Sequence, residues 1–379
     1  MSSIYRIAAV IAAAGTIATG TAAALAASPA ASAQTRPQPF LNRFHKINTI
    51  ASTVPRNGDV NPYGIVVIRR STGRLHAGNI LVSNFNNKAN QQGTGRTIVE
   101  ITPAGRRSLF ASISPAGLPG PCPGGVGLTT ALVVLPGGWV VVGSTPSSNG
   151  MAATAKAGCL IVLDSSGQVR ETIAGHGING PWDATALSSG SVAKLFVTNV
   201  LNGTVAAGGR VVHRGTVLRL RLALYGSRVP PRLISVTTVG SGFAQQASAA
   251  AFVLGPTGVG LSAGGTLYVA DTRGNRVTAI SRALTRRSSA GIGRVVTAGG
   301  FLSAPLGLAL APNGNVLTVN GNNGRIVETT PSGVQVAVKL LDSSGRPPGN
   351  GALFGLAVAP GASGVYYVDD AVNTLRLLH

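Results

Sequence analysis

Cysteine is nearly absent from this sequence: Cys122 and Cys159 are the only two in 379 residues. Neither has the cysteine or histidine neighbours that a structural zinc site needs, so a disulfide formed in an oxidising compartment is the default reading. Acidic residues are scarce too, 10 Asp+Glu against 31 Lys+Arg, for a net charge of +21. Anionic partners are therefore in view. Lysine is confined to Lys46, Lys88, Lys156, Lys194 and Lys339, so arginine carries the charge. Such a bias suits carboxylate or phosphate recognition and equally a basic surface with no employment. Aromatic residues make up 4% and do not interleave with the arginines. This excludes a stacking platform for single-stranded nucleic acid and gives no specific nucleic-acid readout. An HExxH zinc motif, a phosphate loop and a nucleophile motif are all missing.

One long apolar run is present, from Ile7 to about Ala27, preceded by Arg6 and followed by Ala31-Ser32-Ala33. The pattern predicts a secretory signal peptide over residues 1–33, cleaved on export. The competing reading is a retained membrane anchor, but the run is rich in Ala, Gly and Thr and ends at a cleavage-type site. The mature chain, residues 34–379, is then a secreted or cell-envelope protein with no transmembrane segment.

What the chain has in quantity is a repeated β unit. In Ala304 to Gly333, Pro305-Leu306-Gly307 opens an apolar strand and Pro312-Asn313-Gly314-Asn315 turns it. Val316 to Val319 runs back, Asn320 to Gly324 turns again, and Arg325 to Thr329 forms a third strand. Six such units align on Gly64, Ala131, Asp183, Gly258, Gly307 and Gly355, at uneven spacing. Each has a second strand ending in a small polar residue: Asn84, Ser144, Asn199, Asp271, Asn320 and Asp369. Most units offer a fourth, outer strand, among them Arg232 to Val239. The sixth has none, and Phe44 to Ala51 has strand composition without an inner strand of its own. The expectation is a single all-β domain, a six-bladed β-propeller closed by this N-terminal strand.

Leu267-Tyr268-Val269-Ala270-Asp271-Thr272-Arg273-Gly274-Asn275-Arg276-Val277 resembles the signature of NHL repeats, and Pro256-Thr257-Gly258 and Pro305-Leu306-Gly307 match that family's strand-opening motif. The resemblance spans Asn61 to Leu378 and implies a six-bladed propeller. That family includes ligand-binding scaffolds and some lyases, so an activity does not follow from it. Gluconolactonase-like propellers use a glutamate at the start of an inner strand as a metal ligand. Here Glu100, Glu171 and Glu328 fall on outer strands. The amidating lyases rely on converging histidines, whereas His45, His76, His176, His213 and His379 are scattered.

In a propeller the inner strands begin at the face where the second strands end, which brings the two sets of residues to one mouth of the central channel. Asp183, Asp271 and Asp369 are the charged members and could hold Ca²⁺, with Asn84, Asn199 and Asn320 as further ligand-binding oxygens. Turn chemistry explains each Asn or Asp separately. Gly175-His176-Gly177-Ile178-Asn179-Gly180-Pro181-Trp182-Asp183 places an imidazole, an indole and a carboxylate together. His176 and Asp183 are candidates for base and orienter, and Trp182 for a stacking wall. The reading favoured by the sequence is a non-enzymatic binding or scaffold propeller for an extracellular polyanion, glycan or protein. The alternative is a metal-assisted, lactonase-like hydrolase or lyase acting on a small ligand at the channel mouth.

Overall fold

A computed structural model describes residues 38–379, so the expected signal segment, residues 1–33, lies outside the described residues. The strands form six antiparallel sheets. Blade I consists of Val60–Val67, Ile80–Asn86, Thr97–Ile101 and Arg107–Ser112. Blade II consists of Leu128–Leu135, Trp139–Ser144, Cys159–Leu163 and Val169–Ile173. Blade III has five strands, Pro181–Ser189, Val192–Asn199, Val212–Ala223, Arg232–Ser248 and Phe252–Leu254. Blade IV comprises Pro256–Leu261, Leu267–Asp271, Arg276–Ile280 and Arg294–Ala298, and blade V comprises Pro305–Leu310, Val316–Asn320, Arg325–Thr329 and Gln335–Leu340. Blade VI is Leu353–Val358, Val365–Asp369 and Thr374–Leu378, with Ile47–Ser52 paired outermost. The fold is an all-β, six-bladed propeller.

The middle strands are apolar at consecutive positions because each blade is covered on both faces. In Ile80–Asn86, Leu81 packs toward blade II with Leu132, Val140 and Ile161. Its neighbour Val82 packs toward blade VI with Tyr366, Val368 and Leu375. Period-two alternation thus distributes one strand between two cores. The same holds at the remaining interfaces, for example Phe196 and Val217 against Val259 and Val269 between blades III and IV. The ring is complete: six interblade cores join six blades, including the one between VI and I.

The N-terminal strand is Ile47–Ser52, registered from Ile47 opposite Leu378 to Ser52 opposite Thr374. It starts later than Phe44 because Phe40–Arg43 is a 3-10 helix that Phe44 terminates. Phe40 and Phe44 are buried with Leu353 and Tyr367. Both carboxylate oxygens of the buried Glu328 accept bonds from this helix, from Phe40 N and Leu41 N at 2.8 Å each.

Blade III departs from expectation in length. Its fourth strand continues past Val239 to Ser248, because Gly240 and Gly242 act as bulge residues rather than as a turn. Gly242 has φ +80 and is passed over in the pairing with Val212–Ala223. Cys122 and Cys159 form a disulfide with Cα atoms 5.1 Å apart, tying the segment before blade II to its third strand.

Candidate active site in the central channel

The pairing between inner and second strands slips at the same place in every blade. The shifts fall between Pro62 and Gly64, Leu128 and Leu132, Pro181 and Ala184, Pro256 and Val259, Pro305 and Leu308, and Leu353 and Leu356. The repeat anchors Gly64, Ala131, Asp183, Gly258, Gly307 and Gly355 lie in or beside these irregularities, which turn their backbone toward the axis. At the waist so formed, neighbouring inner strands approach closely. A Cβ at Gly258 would collide with Leu306 O, one at Gly307 with Phe354 O, and one at Gly355 with Tyr63 O. Small side chains at this ring are therefore a packing requirement.

Asp183 is the exception. Only 8% exposed, it reaches across to the next blade, where Oδ2 accepts a bond from Val259 N at 2.9 Å. Oδ1 accepts from Ala184 N at 2.8 Å. Its own N–H donates to Thr198 Oγ1 at 3.0 Å, and that hydroxyl donates to Thr257 O at 2.8 Å, so the residue is locked between two blades. Among the described residues no cation pairs with the carboxylate. Burial pushes its pKa up to about 7, and the two backbone N–H bonds offset that only in part.

Below the ring the channel widens into a cavity of about 830 Å³ running to the turns that follow the inner strands. Its walls include Ile65, Leu132, Val259, Leu308 and Leu356. Arg69 stands at the outer rim, and Asp183 and Arg69 are the only charged residues of the lining. The inner strands each leave one edge unpaired by any strand, so backbone N–H and C=O groups also face this space.

Above the ring the channel is shut. Tyr63 stacks on Phe354 with centroids 4.0 Å apart and on Phe85 at 4.5 Å. Trp182 meets Tyr63 edge-on at 5.7 Å and stacks on Phe252 at 6.5 Å. Tyr63, Phe85, Trp182 and Phe252 are each at most 2% exposed. Trp182 is therefore part of a plug, not a stacking wall at an open mouth. Tyr63, Trp182 and Phe354 each precede an anchor, a signal readable in the sequence. Phe85 and Phe252 gave none, since one follows a strand-ending Asn and the other comes from the unforeseen hairpin of blade III. The open mouth consequently lies on the face opposite the expected one.

The remaining predicted residues fasten loops and strand ends rather than facing the channel. Asn84 Nδ2 donates to Thr53 O at 3.1 Å, Asn199 Oδ1 accepts from Asn179 N at 3.2 Å, and Asn320 Nδ2 donates to Phe301 O at 2.7 Å. Asp271 accepts from Gly274 N at 3.1 Å and pairs with Arg276 at 2.7 Å. Asp369 pairs with Arg376 at 2.9 Å. His176 is exposed in a tight turn with φ +53 and has no hydrogen bond to Asp183, so the two do not form a base and orienter.

The Ca²⁺ that the sequence left possible does not fit this donor set. The inner ring brings one carboxylate, with both oxygens already accepting backbone N–H bonds, while Asp271 and Asp369 are each committed to an arginine. A calcium ion takes six to eight oxygens. Among the described residues no group of three or more His, Cys, Asp or Glu is placed to hold a metal.

No family model matches the chain, and no curated protein matches it. Solved structures do share its fold. A luciferin-regenerating enzyme superposes with a TM-score of 0.56 at 13% identity, over 88% of this chain and 95% of the other. A gluconolactonase from Xanthomonas campestris gives 0.54 at 13% identity, over 88% of each chain. Regucalcin from Agrobacterium tumefaciens, a calcium-binding protein, gives 0.53 at 14% identity, over 87% and 93%. At these identities the similarity is one of fold. It nevertheless corrects the expectation of a non-enzymatic scaffold, because two of these three propellers are named as enzymes.

Proposed function

We propose that the protein is a lactonase-like enzyme, a hydrolase or lyase acting on a small ligand inside the central channel. Asp183 carries this reading. A carboxyl with a pKa near 7, set at the floor of a cavity of ligand size, suits proton transfer at neutral pH. For a lactone or ester the ionised Asp183 takes a proton from water as its oxygen bonds to the carbonyl carbon. The tetrahedral centre then collapses, the C–O bond to the leaving alkoxide breaks, and Asp183 returns the proton to that oxygen. Unpaired backbone N–H groups on the inner-strand edges are the donors available to the developing oxyanion. No metal enters this scheme, since the residues present do not form a site for one.

The test is hydrolysis of a panel of lactones and neutral esters by the wild type and Asp183→Asn. The expected result is activity rising with pH through about 7 and falling at least ~100-fold in the variant, with the fold intact by circular dichroism. Equal activity in both proteins would falsify the assignment.

Two finer readings accompany this proposal. The disulfide supports an oxidising compartment, and with it export by residues 1–33. Kinship with NHL repeats rests on the sequence of blade IV. The excess of arginine supports an anionic polymer as an extracellular partner.

A further inference from the structure

The channel is asymmetric along its axis. Its floor carries Asp183, the side chains of its walls are aliphatic apart from Thr130 and Thr185, and its rim carries Arg69. Arg69 is exposed and takes part in no ion pair among the described residues. From Gly64 at the waist to Arg69 at the rim the inner strand and its extension run five residues, roughly 16 Å of extended backbone. This separates the two charged groups by the length of a medium alkyl chain rather than of a sugar ring. Charge complementarity singles out one end of the occupant: the open end meets a guanidinium outside any ion pair among the described residues, in a connection that also carries Arg70 and Arg74.

We propose that the channel takes an amphipathic anion, with a carboxylate-type group held at Arg69 and an aliphatic body extending toward the floor at Asp183. The proposal rests on the channel being the working site and names the class of molecule that enters it. Thr130 and Thr185 are the only side-chain hydroxyls of the lining, so at Ile65, Leu132, Leu308 and Leu356 a sugar lactone's hydroxyls would find backbone groups alone, whereas an alkyl chain replaces water along those side chains. The anionic end stays hydrated at the rim, where an arginine pairs with a carboxylate without full desolvation. The far end of the chain meets the proton-transfer group.

One consequence separates this arrangement from generic hydrophobic binding. An alkyl chain laid over Asp183 removes the water that still reaches the carboxylate, which favours its protonated form further. Tyr63 and Asp183 are the only titratable residues on the six inner strands, and Tyr63 lies in the plug with its hydroxyl pushed up by burial. Binding near neutral pH therefore takes up a proton at Asp183.

The experiment is isothermal titration of the full chain with hexanoate, octanoate, decanoate and dodecanoate, in two buffers of different ionisation enthalpy at pH 7.5. Affinity is expected to rise roughly fourfold per methylene until the chain reaches the floor. Part of a proton should be taken up on binding, and that uptake should vanish in Asp183→Asn. Arg69→Glu should weaken decanoate about tenfold or more and leave decanol unchanged. Equal binding of decanoate and decanol by the wild type, or indifference to Arg69→Glu, overturns the proposal. If decanoate binds with proton uptake but no ester is hydrolysed, the ligand class stands and the enzymatic reading falls. If Asp183-dependent hydrolysis of a short neutral ester persists while no carboxylate binds, the enzymatic reading stands and the ligand class falls.

Discussion

Asp183 occupies a position that the other blades give to glycine or alanine, and its cost can be read as a function of pH. Its folded pKa, about 7, lies above the ordinary carboxylate value. The folded state therefore holds its proton more tightly than the unfolded chain. The stabilisation is full below the unfolded pKa near 4 and is lost as pH rises through about 7, amounting to roughly 4 kcal/mol. Asp369 and Asp370 have the same sign, raised mainly by burial to about 6 and about 7. The difference between wild type and Asp183→Asn in urea unfolding from pH 4 to pH 8 isolates the one residue. The wild type should lose stability relative to the variant across this range, and a pH-independent difference would count against a buried titrating group. The ring glycines offer a second measurement. Gly307→Ala should cost about 2 kcal/mol or more by overpacking against Phe354 O. Gly264→Ala, where an added Cβ meets nothing and φ is not positive, should stay within about 0.5 kcal/mol.

Blades were legible in the sequence as elements because their reversals are punctuated by residues with few alternatives. Gly314 at φ +83 and Asn275 at φ +48 adopt conformations most side chains avoid. The blade III hairpin escaped notice because Gly240 and Gly242 look like the same punctuation while serving as bulges. The candidate site was half legible: Asp183 stood out as the carboxylate among the inner-strand anchors, but its partner Val259 N lies on another blade, and no local pattern announces such a bond. The turn-forming Asn and Asp residues looked like ligands for the complementary reason, since strand ends and ion sites draw on the same oxygens. Asp271→Asn should therefore destabilise equally with and without chelator, as a lost pair with Arg276, and a chelator-dependent difference would restore the calcium reading. At the N-terminus, Glu328 joins the Phe40–Arg43 helix to blade V, and it also accepts from Asn313 and Asn315 at 3.0 and 2.6 Å. Glu328→Ala should cost about 2 to 3 kcal/mol by leaving Phe40 N and Leu41 N without acceptors. Chemical denaturation measures this directly.

One face of the ring bears the open end of the cavity and the other the aromatic plug. On the face bearing the cavity mouth, the inter-strand turns and their flanks carry Arg69, Arg70, Arg74, Arg228, Arg232, Arg282 and Arg287, while Asp164 there is already paired with Arg170. Arg286 belongs to the same group but is folded back on the carbonyls of Ser281, Ser288 and Ser289, so it braces its loop. Binding to heparin, a probe polyanion, should weaken steeply with salt. It should drop on Arg282→Glu with Arg287→Glu, and change little on Lys88→Glu with Lys156→Glu. Equal losses from the two pairs would reduce the effect to net charge. A different property of the whole follows from the aromatic plug. With Tyr63, Phe85, Trp182 and Phe252 sealing one end, the channel is a tube with a single door, and whatever goes in must back out the same way. On the enzymatic reading proposed above, traffic through it is one molecule at a time: product leaves before the next substrate can approach, and product and substrate exclude one another completely. A polymer can offer this tube only its end, never its middle.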